Sequence, residues 1–239
     1  MVLDKQIVFY TDNQLPDPIC SVVRDQLAGY GIPIVSVSLK PIDFGTNYVV
    51  DLEPSYLTMV MQITRGLKES SARYVFFCEH DVLYPISHFD FVPERNDIFY
   101  YNDYVWRWEY PTDKAITYDR LFSLSSLCVN REFALDHYQK RLEAIKEKYL
   151  DRKQDGEPDW ARKMGYEPGT KTKKRGGFSD DNFETWRSVY PIIDIRHKGT
   201  FSPPKTNLSG FKHPPENWRE TNISMIPGWN LKRLFNLFS

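Results

Sequence analysis

Three short apolar runs alternate with two amphipathic segments near the start of the sequence, and this order most constrains the fold. Residues 6–10, 32–39 and 73–78 are rich in β-branched and aromatic residues, as buried strands are. Between these runs, apolar residues recur at helical spacing in segments that Asp17 and Ser55 can cap. Strands that alternate with helices predict an α/β fold with a mostly parallel central sheet flanked by helices.

The second half of the sequence is less regular. Its apolar and aromatic runs predict further strands, one long stripe predicts a helix, and glycine-rich or charged stretches predict loops. We expect strands at 97–109 and 190–195, a further ordered segment at 121–129, a helix at 131–150, loops at 41–54 and 151–177, and a helix that starts at Phe178.

The composition indicates one folded domain. The chain has 239 residues, of which 41% are hydrophobic and 26% charged, with a net charge of -1. These values exclude a disordered or collagen-like chain but indicate no partner. Three cysteines in dissimilar contexts indicate neither a disulfide framework nor a thiolate zinc site. With no signal peptide and no apolar run long enough to span a bilayer, we expect a cytoplasmic protein.

An acidic triplet, Glu79-His80-Asp81, follows the third apolar run. In an extended strand the first and third residues point the same way, so Glu79 and Asp81 can face one ligand while His80 faces the other side. Two neighbouring carboxylates repel each other unless a cation lies between them, and Mg²⁺ or Mn²⁺ prefers such oxygens. The alternative is a solvated turn after the strand, capped by Asp81.

The triplet and its strand resemble a known family. The run Arg73-Tyr-Val-Phe-Phe-Cys-Glu-His-Asp-Val-Leu-Tyr-Pro resembles the strand and DxD motif of GT-A-fold glycosyltransferases, especially family 2, with Glu79 in place of the first Asp. Arg65-Gly66-Leu67 and Tyr10-Thr11-Asp12 stand in the expected order, and the resemblance covers about residues 6–85. It implies a single GT-A-like, Rossmann-like domain that binds a nucleotide-sugar donor, UDP-linked by expectation, and Mn²⁺ or Mg²⁺.

The resemblance also implies roles for individual residues and regions. Residues 1–95 would form the donor-binding half, 96–225 the acceptor-binding half, and 226–239 an amphipathic tail. Asp81 and Glu79 would hold the metal. The residues expected at the nucleotide sugar are Tyr10, Thr11, Asp12, Arg65, Glu79 and His80.

A late histidine is the other candidate metal ligand. In several GT-A enzymes a histidine after a late strand completes the metal shell, and His197 follows such a run. A neutral imidazole can ligate a metal, although a lone histidine is as often a structural hydrogen-bonding group. Its neighbours Arg196 and Lys198 are candidates for neutralising phosphate charge.

Asp180 and Asp181 resemble the acidic pair near the acceptor of family 2 enzymes, where one carboxylate acts as the general base. Such a base removes a proton from the acceptor hydroxyl, with inversion at the sugar carbon. We prefer Asp181, and helix capping is the alternative role for either residue.

Other residues are candidate contacts to phosphate or acceptor. Trp106 and Trp108 share one face of an extended strand and stack on a sugar or belong to the core. Lys173, Lys174 and Arg175 form a basic cluster that covers the diphosphate, contacts DNA, or is simply a solvated loop.

The C-terminal tail carries apolar residues at helical spacing. They predict a short amphipathic helix that lies on a membrane surface or, more commonly, docks on the domain. These residues are Leu231, Leu234, Phe235 and Phe238.

The acceptor expected from the sequence is a glycan or a hydroxymethylated base in DNA. Two other functions stay open: a non-catalytic nucleotide-sugar or carbohydrate binding module on the same scaffold, and a metal-dependent nucleotidyltransferase. The sequence contains no GxGxxG, GxxxxGK[ST] or GxSxG motif. Dinucleotide oxidoreductases, P-loop NTPases and serine hydrolases therefore have no motif support.

Overall fold

The computed structural model describes residues 3–150, 182–200 and 205–237. Strands and helices are numbered here in chain order. The helices are α1 (Ile19–Ala28), α2 (Tyr56–Glu69), α3 (Arg131–Leu150) and α4 (Leu231–Leu234). The strands are β1 (Leu3–Thr11), β2 (Ile34–Ser38), β3 (Thr46–Val49), β4 (Ala72–Glu79), β5 (Val82–Leu83), β6 (Phe99–Asn102), β7 (Val105–Glu109), β8 (Lys114–Thr117), β9 (Leu127–Asn130), β10 (Phe183–Trp186), β11 (Ile192–Arg196) and β12 (Arg219–Asn222).

A seven-stranded central sheet has the order β10-β6-β9-β4-β1-β2-β3. Most pairs of neighbouring strands in this sheet run parallel. The exception is β9, which runs antiparallel to both β4 and β6. Helix α1 packs into a core on one face of the sheet, and α2 and α3 pack into a second core on the other face. The predicted α/β fold with a mostly parallel, helix-covered central sheet is confirmed.

Local chemistry explains where α2 begins and how closely it packs. The hydroxyl of Ser55 accepts a hydrogen bond from the Thr58 amide at 3.0 Å, so the predicted cap is present. In the last part of α2, a methyl group on Gly66 would lie 2.5 Å from Cγ1 of Val8 in β1. Gly66 therefore allows α2 to lie directly on the central sheet.

A second, five-stranded sheet, with the order β12-β8-β7-β11-β5, was not predicted. The aromatic stretch expected as one strand at 97–109 is divided between the two sheets, because β6 pairs with β9 and β7 pairs with β11. The sequence pattern showed that these residues form strands. It did not contain the information about which strands they pair with.

Two other predicted elements differ. The loop expected at 41–54 contains β3, a half-exposed strand at the edge of the central sheet. Its sequence lacks a clear apolar pattern because an edge strand buries little of its surface. The helix expected from Phe178 is wrong for Phe183–Trp186, which form β10 parallel to β6. Aromatic packing favours the strand, because Trp186 stacks on the rings of His88 and Phe91.

The C-terminal tail docks on the domain. Leu231 and Phe235 are buried, and the Phe235 ring contacts the rings of Trp108 and Tyr110. This corresponds to the docked alternative rather than the membrane-surface one. Among the described residues, no helix is long and apolar enough to cross a membrane.

Candidate active site

The acidic triplet lies where the chain passes from one sheet to the other. Glu79 is the last residue of β4 in the central sheet, and Val82 begins β5 in the second sheet. His80 and Asp81 form the turn between them. The triplet therefore lies at the carboxyl end of β4, the edge at which ligands bind in open α/β sheets.

Glu79 is paired with Tyr10 of the neighbouring strand. The two residues are register partners in β4 and β1, and the Tyr10 hydroxyl donates a hydrogen bond to Oε1 of Glu79. Burial and the nearby charge of Asp81 together raise the pKa of Glu79 to about 8, although the hydrogen bond from Tyr10 lowers it. Glu79 therefore keeps its proton at neutral pH in the arrangement described here.

His80 lies on the other face of the strand, as the extended geometry predicts. Its Nδ1 lies 2.6 Å from the hydroxyl of Thr11 and 3.8 Å from Oδ1 of Asp12. Thr11, Asp12 and His80 thus form a polar group at the ends of β1 and β4. This group is separate from the Tyr10 and Glu79 pair.

Asp81 and His197 come together although they are far apart in the sequence. Nε2 of His197 lies 3.5 Å from Oδ2 of Asp81. The strands position them, because β5 pairs with β11 and the amide of Ile195 donates a 2.9 Å hydrogen bond to the carbonyl of Asp81. Burial alone would raise the pKa of Asp81, but His197, His80 and Arg196 together hold it below its usual value. Asp81 is therefore an ionised carboxylate.

The imidazole of His197 is oriented by its own turn. Its Nδ1 accepts a hydrogen bond from the Gly199 amide at 3.1 Å, so a neutral ring carries its proton on Nε2. That Nε2 atom is buried, and among the described residues it has no partner with regular hydrogen-bond geometry. The atom closest to pairing with it is the carboxylate oxygen of Asp81 at 3.5 Å, so the proton on Nε2 faces an acceptor over a long distance.

The donor set at this point fits a divalent cation. Two ligands about 2.1 Å from one octahedral ion and at right angles lie about 3 Å apart, close to the observed spacing of Asp81 and His197. To ligate through Nε2 as a neutral imidazole, His197 would have to carry its proton on Nδ1 instead and give up the hydrogen bond from the Gly199 amide. Among the described residues, no group of three or more metal-ligating His, Cys, Asp or Glu side chains occurs. The remaining ligands would have to be substrate oxygens and water, which is the usual arrangement for Mg²⁺.

A buried charge cluster of the second sheet adjoins the carboxylates. Asp194 binds two guanidinium groups: Nε of Arg107 lies 3.0 Å from Oδ2, and Nη1 of Arg196 lies 3.3 Å from Oδ1. Arg107 also donates a 2.8 Å hydrogen bond to the hydroxyl of Tyr118. The sequence analysis missed Arg107, Asp194 and Tyr118. The available signal was a charged residue between apolar neighbours in β7 and in β11.

The two candidate tryptophans are buried in β7. Trp108 is fully buried, donates to the carbonyl of Thr112 and packs against Phe235, so it belongs to the core. Trp106 is also buried, with the guanidinium of Arg219 over its ring at 6.0 Å. The core alternative therefore holds for both residues.

Not every predicted residue lies at the triplet. Arg65 forms an ion pair with Glu69 at 2.8 Å and lies over the ring of Tyr48, so its contacts are with α2 and β3. Lys198 is exposed directly after His197. The predicted residues Asp180, Asp181, Lys173, Lys174 and Arg175 lie outside the described residues.

A cleft of about 270 Å³ opens beside the end of β1. Thr11 and Asn13 are two of the polar residues that line the cleft. Oδ1 of Asn13 accepts hydrogen bonds from the backbone amides of Leu39 and Lys40, which follow β2. The cleft thus lies at the carboxyl edge of the central sheet. Its lining residues are Phe9, Thr11, Asn13, Leu15, Pro16, Asp17, Cys20, Arg24 and Ile42.

Fold and site together describe an α/β protein with a polar site at the carboxyl edge of its central sheet. No family model matches the sequence, and no curated protein matches it. Several solved glycosyltransferase structures are similar in fold. One is a glycosyltransferase involved in the glycosylation of the major capsid of PBCV-1, with 12% identity and a TM-score of 0.46 over 82% of this chain and 94% of that chain.

Two further structures are similar over smaller shares of their own chains. The glycosyltransferase GlyE of Streptococcus pneumoniae TIGR4 has 6% identity and a TM-score of 0.41, over 77% of this chain and 45% of that chain. The Drosophila β-1,4-galactosyltransferase 7, in a complex with manganese, UDP-Gal and xylobiose, has 12% identity and a TM-score of 0.37, over 74% of this chain and 69% of that chain.

Proposed function

We propose that the protein is a metal-dependent glycosyltransferase that moves a sugar from a nucleoside-diphosphate donor, UDP-linked, to an acceptor hydroxyl. The observation that carries this proposal is the meeting of Asp81 and His197 at 3.5 Å, with the half-buried Glu79 two residues before Asp81. A carboxylate and an imidazole at the carboxyl edge of a parallel sheet suit a cation that also binds a diphosphate.

The nucleoside part of the donor would lie beside the end of β1. The cleft there has apolar walls from Phe9, Leu15 and Ile42, and it has polar groups from Thr11 and Asn13. Binding pockets for planar ligands commonly combine apolar walls with a few placed polar groups. The adjoining polar group of Thr11, Asp12 and His80 would contact the nucleotide, with Tyr10 beneath it.

The diphosphate would lie between the cleft and the second sheet. Asp81 and His197 would hold Mn²⁺ or Mg²⁺, with the carboxyl group of Glu79 beside them. The guanidinium of Arg196 interacts with both Asp81 and Asp194, and we propose that it neutralises phosphate charge. Lys198 follows His197 and would act in the same way. A bound divalent cation would stabilise the negative charge that develops on the departing diphosphate.

In the transfer step the oxygen of the acceptor hydroxyl forms a bond to the anomeric carbon of the donor sugar. The bond from that carbon to the diphosphate breaks, and the diphosphate leaves with the electron pair. The hydroxyl proton passes to a carboxylate, for which we propose Asp181 or, failing that, Asp180, with inversion at the anomeric carbon. Lys173, Lys174 and Arg175 are proposed to contact the diphosphate or the acceptor. A glycan is the first proposed acceptor, and a hydroxymethylated base in DNA is the second.

The test is donor turnover by the full chain with Mn²⁺ or Mg²⁺ across a panel of UDP-, GDP- and CDP-sugars. We expect release of the nucleoside diphosphate, and we expect Asp81→Asn to lower the rate about 100-fold or more. Asp136→Asn is the matched control, because Asp136 is an exposed carboxylate on α3 that pairs only with Lys140 among the contacts described.

The product distinguishes this proposal from the other two functions. Release of pyrophosphate would identify a nucleotidyltransferase. Binding of a nucleotide sugar that is never consumed would identify a binding module. Turnover that survives both a chelator and Asp81→Asn would disprove the metal-dependent mechanism.

A further inference from the structure

Arg24 lines the cleft beside the end of β1, and its guanidinium is not used by the protein. Cys20 and Arg24 line this cleft about one helical turn apart. They lie beside the face of α1 that packs into the core, which consists of Ile19, Val23 and Leu27. Arg24 is half-buried, and it makes no hydrogen bond or ion pair with any residue that the structure describes. Its donors are therefore available to a ligand.

Three other polar side chains of the cleft are already bound within the protein. The Thr11 hydroxyl lies 2.6 Å from Nδ1 of His80 and accepts a 3.0 Å hydrogen bond from the Asn13 amide. The side chain of Asn13 binds the backbone that follows β2 through both Oδ1 and Nδ2. Asp17 accepts a 3.3 Å hydrogen bond from the amide of Ser21. Because a guanidinium has five N–H donors, Arg24 carries most of the free donors in the cleft.

Arg24 lies deeper in the cleft than the candidate active site does. Strands β1 and β2 run parallel, so α1 carries the chain from the carboxyl edge of the central sheet back to the opposite edge. Arg24 is about 8 Å along α1 from Ile19, and it is therefore further from the carboxyl edge than the start of the helix is. Thr11, the last residue of β1, lies at that edge and contacts His80 of the acidic triplet. A ligand could thus extend from Arg24, past Thr11, to the triplet.

The walls of the cleft suit one flat ring. Phe9, Leu15 and Ile42 provide apolar surface. The volume of about 270 Å³ is near the lower limit of the roughly 300–1,000 Å³ that ligand pockets occupy. A cleft of this size suits a base with its ribose, while the diphosphate would lie outside it, at Asp81 and His197.

We propose that Arg24 selects uracil as the base of the donor by donating a hydrogen bond to the carbonyl oxygen at position 4 of the ring. This inference rests on the proposed glycosyltransferase function, and it assigns the choice of base to one residue. Uracil and cytosine have nearly the same shape, but cytosine carries an amino group at position 4, which is a donor. A guanidinium has no acceptor, so it pairs with the carbonyl and not with the amino group.

A contact to phosphate is the other use of a free guanidinium. Two observations favour the base. Among the described residues that line the cleft, Arg24 is the only basic one, and the carboxylate of Asp17 lines the same cleft. A diphosphate would need more positive charge than this. A neutral base with a carbonyl group at its edge suits a single guanidinium between apolar walls.

The experiment measures binding of UDP and CDP to the full chain by isothermal titration calorimetry in the presence of Mn²⁺. It compares the wild type with Arg24→Gln and Arg24→Lys. Glutamine has both a donor and an acceptor, so it can pair with either base, whereas lysine keeps only donors. Lys68→Gln is the matched control, because Lys68 is an exposed cation on α2 and does not line the cleft. Thermal denaturation checks that all variants fold, and turnover of nucleotide sugars is measured in parallel.

We expect the wild type to bind UDP about tenfold more tightly than CDP, a ratio of the size that one base-specific contact gives. Arg24→Gln should bring the ratio close to one, mainly by weakening the binding of UDP. Arg24→Lys should keep most of the preference, and Lys68→Gln should keep all of it. Equal binding of UDP and CDP by the wild type would overturn the inference. An equal loss of affinity for both nucleotides in Arg24→Gln would also overturn it and would assign Arg24 to the phosphates.

The outcomes separate this inference from the proposed function. A preference for UDP that depends on Arg24, without turnover of any nucleotide sugar, would support the role of Arg24 and disprove the transferase. Turnover of UDP-sugars with a preference that Arg24→Gln leaves unchanged would overturn the inference alone. A chain that binds neither nucleotide would contradict both.

Discussion

His197 faces Asp81 because the strands beside them pair, with Asp194 of β11 opposite Val82 of β5. One antiparallel pair of strands therefore fixes a carboxylate and an imidazole at 3.5 Å. Asp81 directly precedes β5, and His197 directly follows β11. The hydrogen bonds between these two strands therefore fix the backbone next to both side chains.

The first prediction concerns metal affinity. His197→Ala should weaken Mn²⁺ binding in the presence of UDP by about tenfold or more, since it removes one of two protein ligands. The measurement is a Mn²⁺ titration followed by electron paramagnetic resonance. His213→Ala is the control, because His213 is an exposed histidine on the second half of the chain. Equal affinity in the wild type and in His197→Ala would remove His197 from the metal site.

The second prediction concerns the buried charge cluster. Asp194→Asn should lower the free energy of unfolding by about 3 kcal/mol or more, because it leaves two largely buried guanidinium groups without their carboxylate. Urea denaturation gives this value. In the control, Asp136→Asn removes an exposed ion pair with Lys140 and should cost less than about 1 kcal/mol. Equal losses for the two variants would show that the cluster contributes no more than a surface pair.

The third prediction concerns pH. Burial lowers the pKa of His88 to about 3, and its ring is packed among Phe76, Tyr84, Phe89 and Trp186, with Asn102 beside Nδ1. Of these neighbours only Tyr84 titrates, and burial raises the pKa of its hydroxyl well above the usual value. Between pH 6.5 and about 3, the unfolded chain therefore binds a proton that the folded state does not.

Stability that depends on His88 should consequently be complete above pH 6.5 and decline as the pH falls below it. Denaturation curves between pH 4.5 and 7.5 in steps of about half a unit would compare the wild type with His88→Phe. The variant should show a smaller loss on acidification. Parallel curves for the two proteins would mean that His88 can be protonated in the folded state.

The fourth prediction concerns the contact between α2 and the central sheet. Gly66→Ala places a methyl group 2.5 Å from Cγ1 of the fully buried Val8 and should cost about 1–3 kcal/mol, partly offset by better helix propensity. Gly29→Ala is the control, because its nearest contacts would be at 3.4 Å. Thermal denaturation of both variants measures the difference, and equal midpoints would contradict the close approach.

The sequence was sufficient to predict the features that depend on local patterns. The alternation of β1, α1, β2, α2 and β4 follows from hydrophobic periodicity, and the Ser55 cap follows from side-chain chemistry. The opposite orientations of Glu79 and His80 follow from the pleat of a strand. His197 was proposed from the resemblance of the motif order, and the structure brings it to Asp81.

What the sequence did not predict depends on long-range pairing. The second sheet exists because β7, β8, β11 and β12 find partners that are distant in the chain, and periodicity is the same for either sheet. Arg107 and Asp194 appeared as isolated charges in separate apolar runs, and only the register of β7 and β11 makes them an ion pair.

Glu79, His80 and Asp81 connect the central sheet with the second sheet, so the residues of the candidate site are divided between the two sheets. Tyr10 and Glu79 are attached to the central sheet, whereas Asp81 and His197 are attached to β5 and β11 of the second sheet. A rigid displacement of one sheet relative to the other would keep the Asp81 and His197 pair intact. It would change only the separation of that pair from Glu79 and Tyr10, which move with the central sheet.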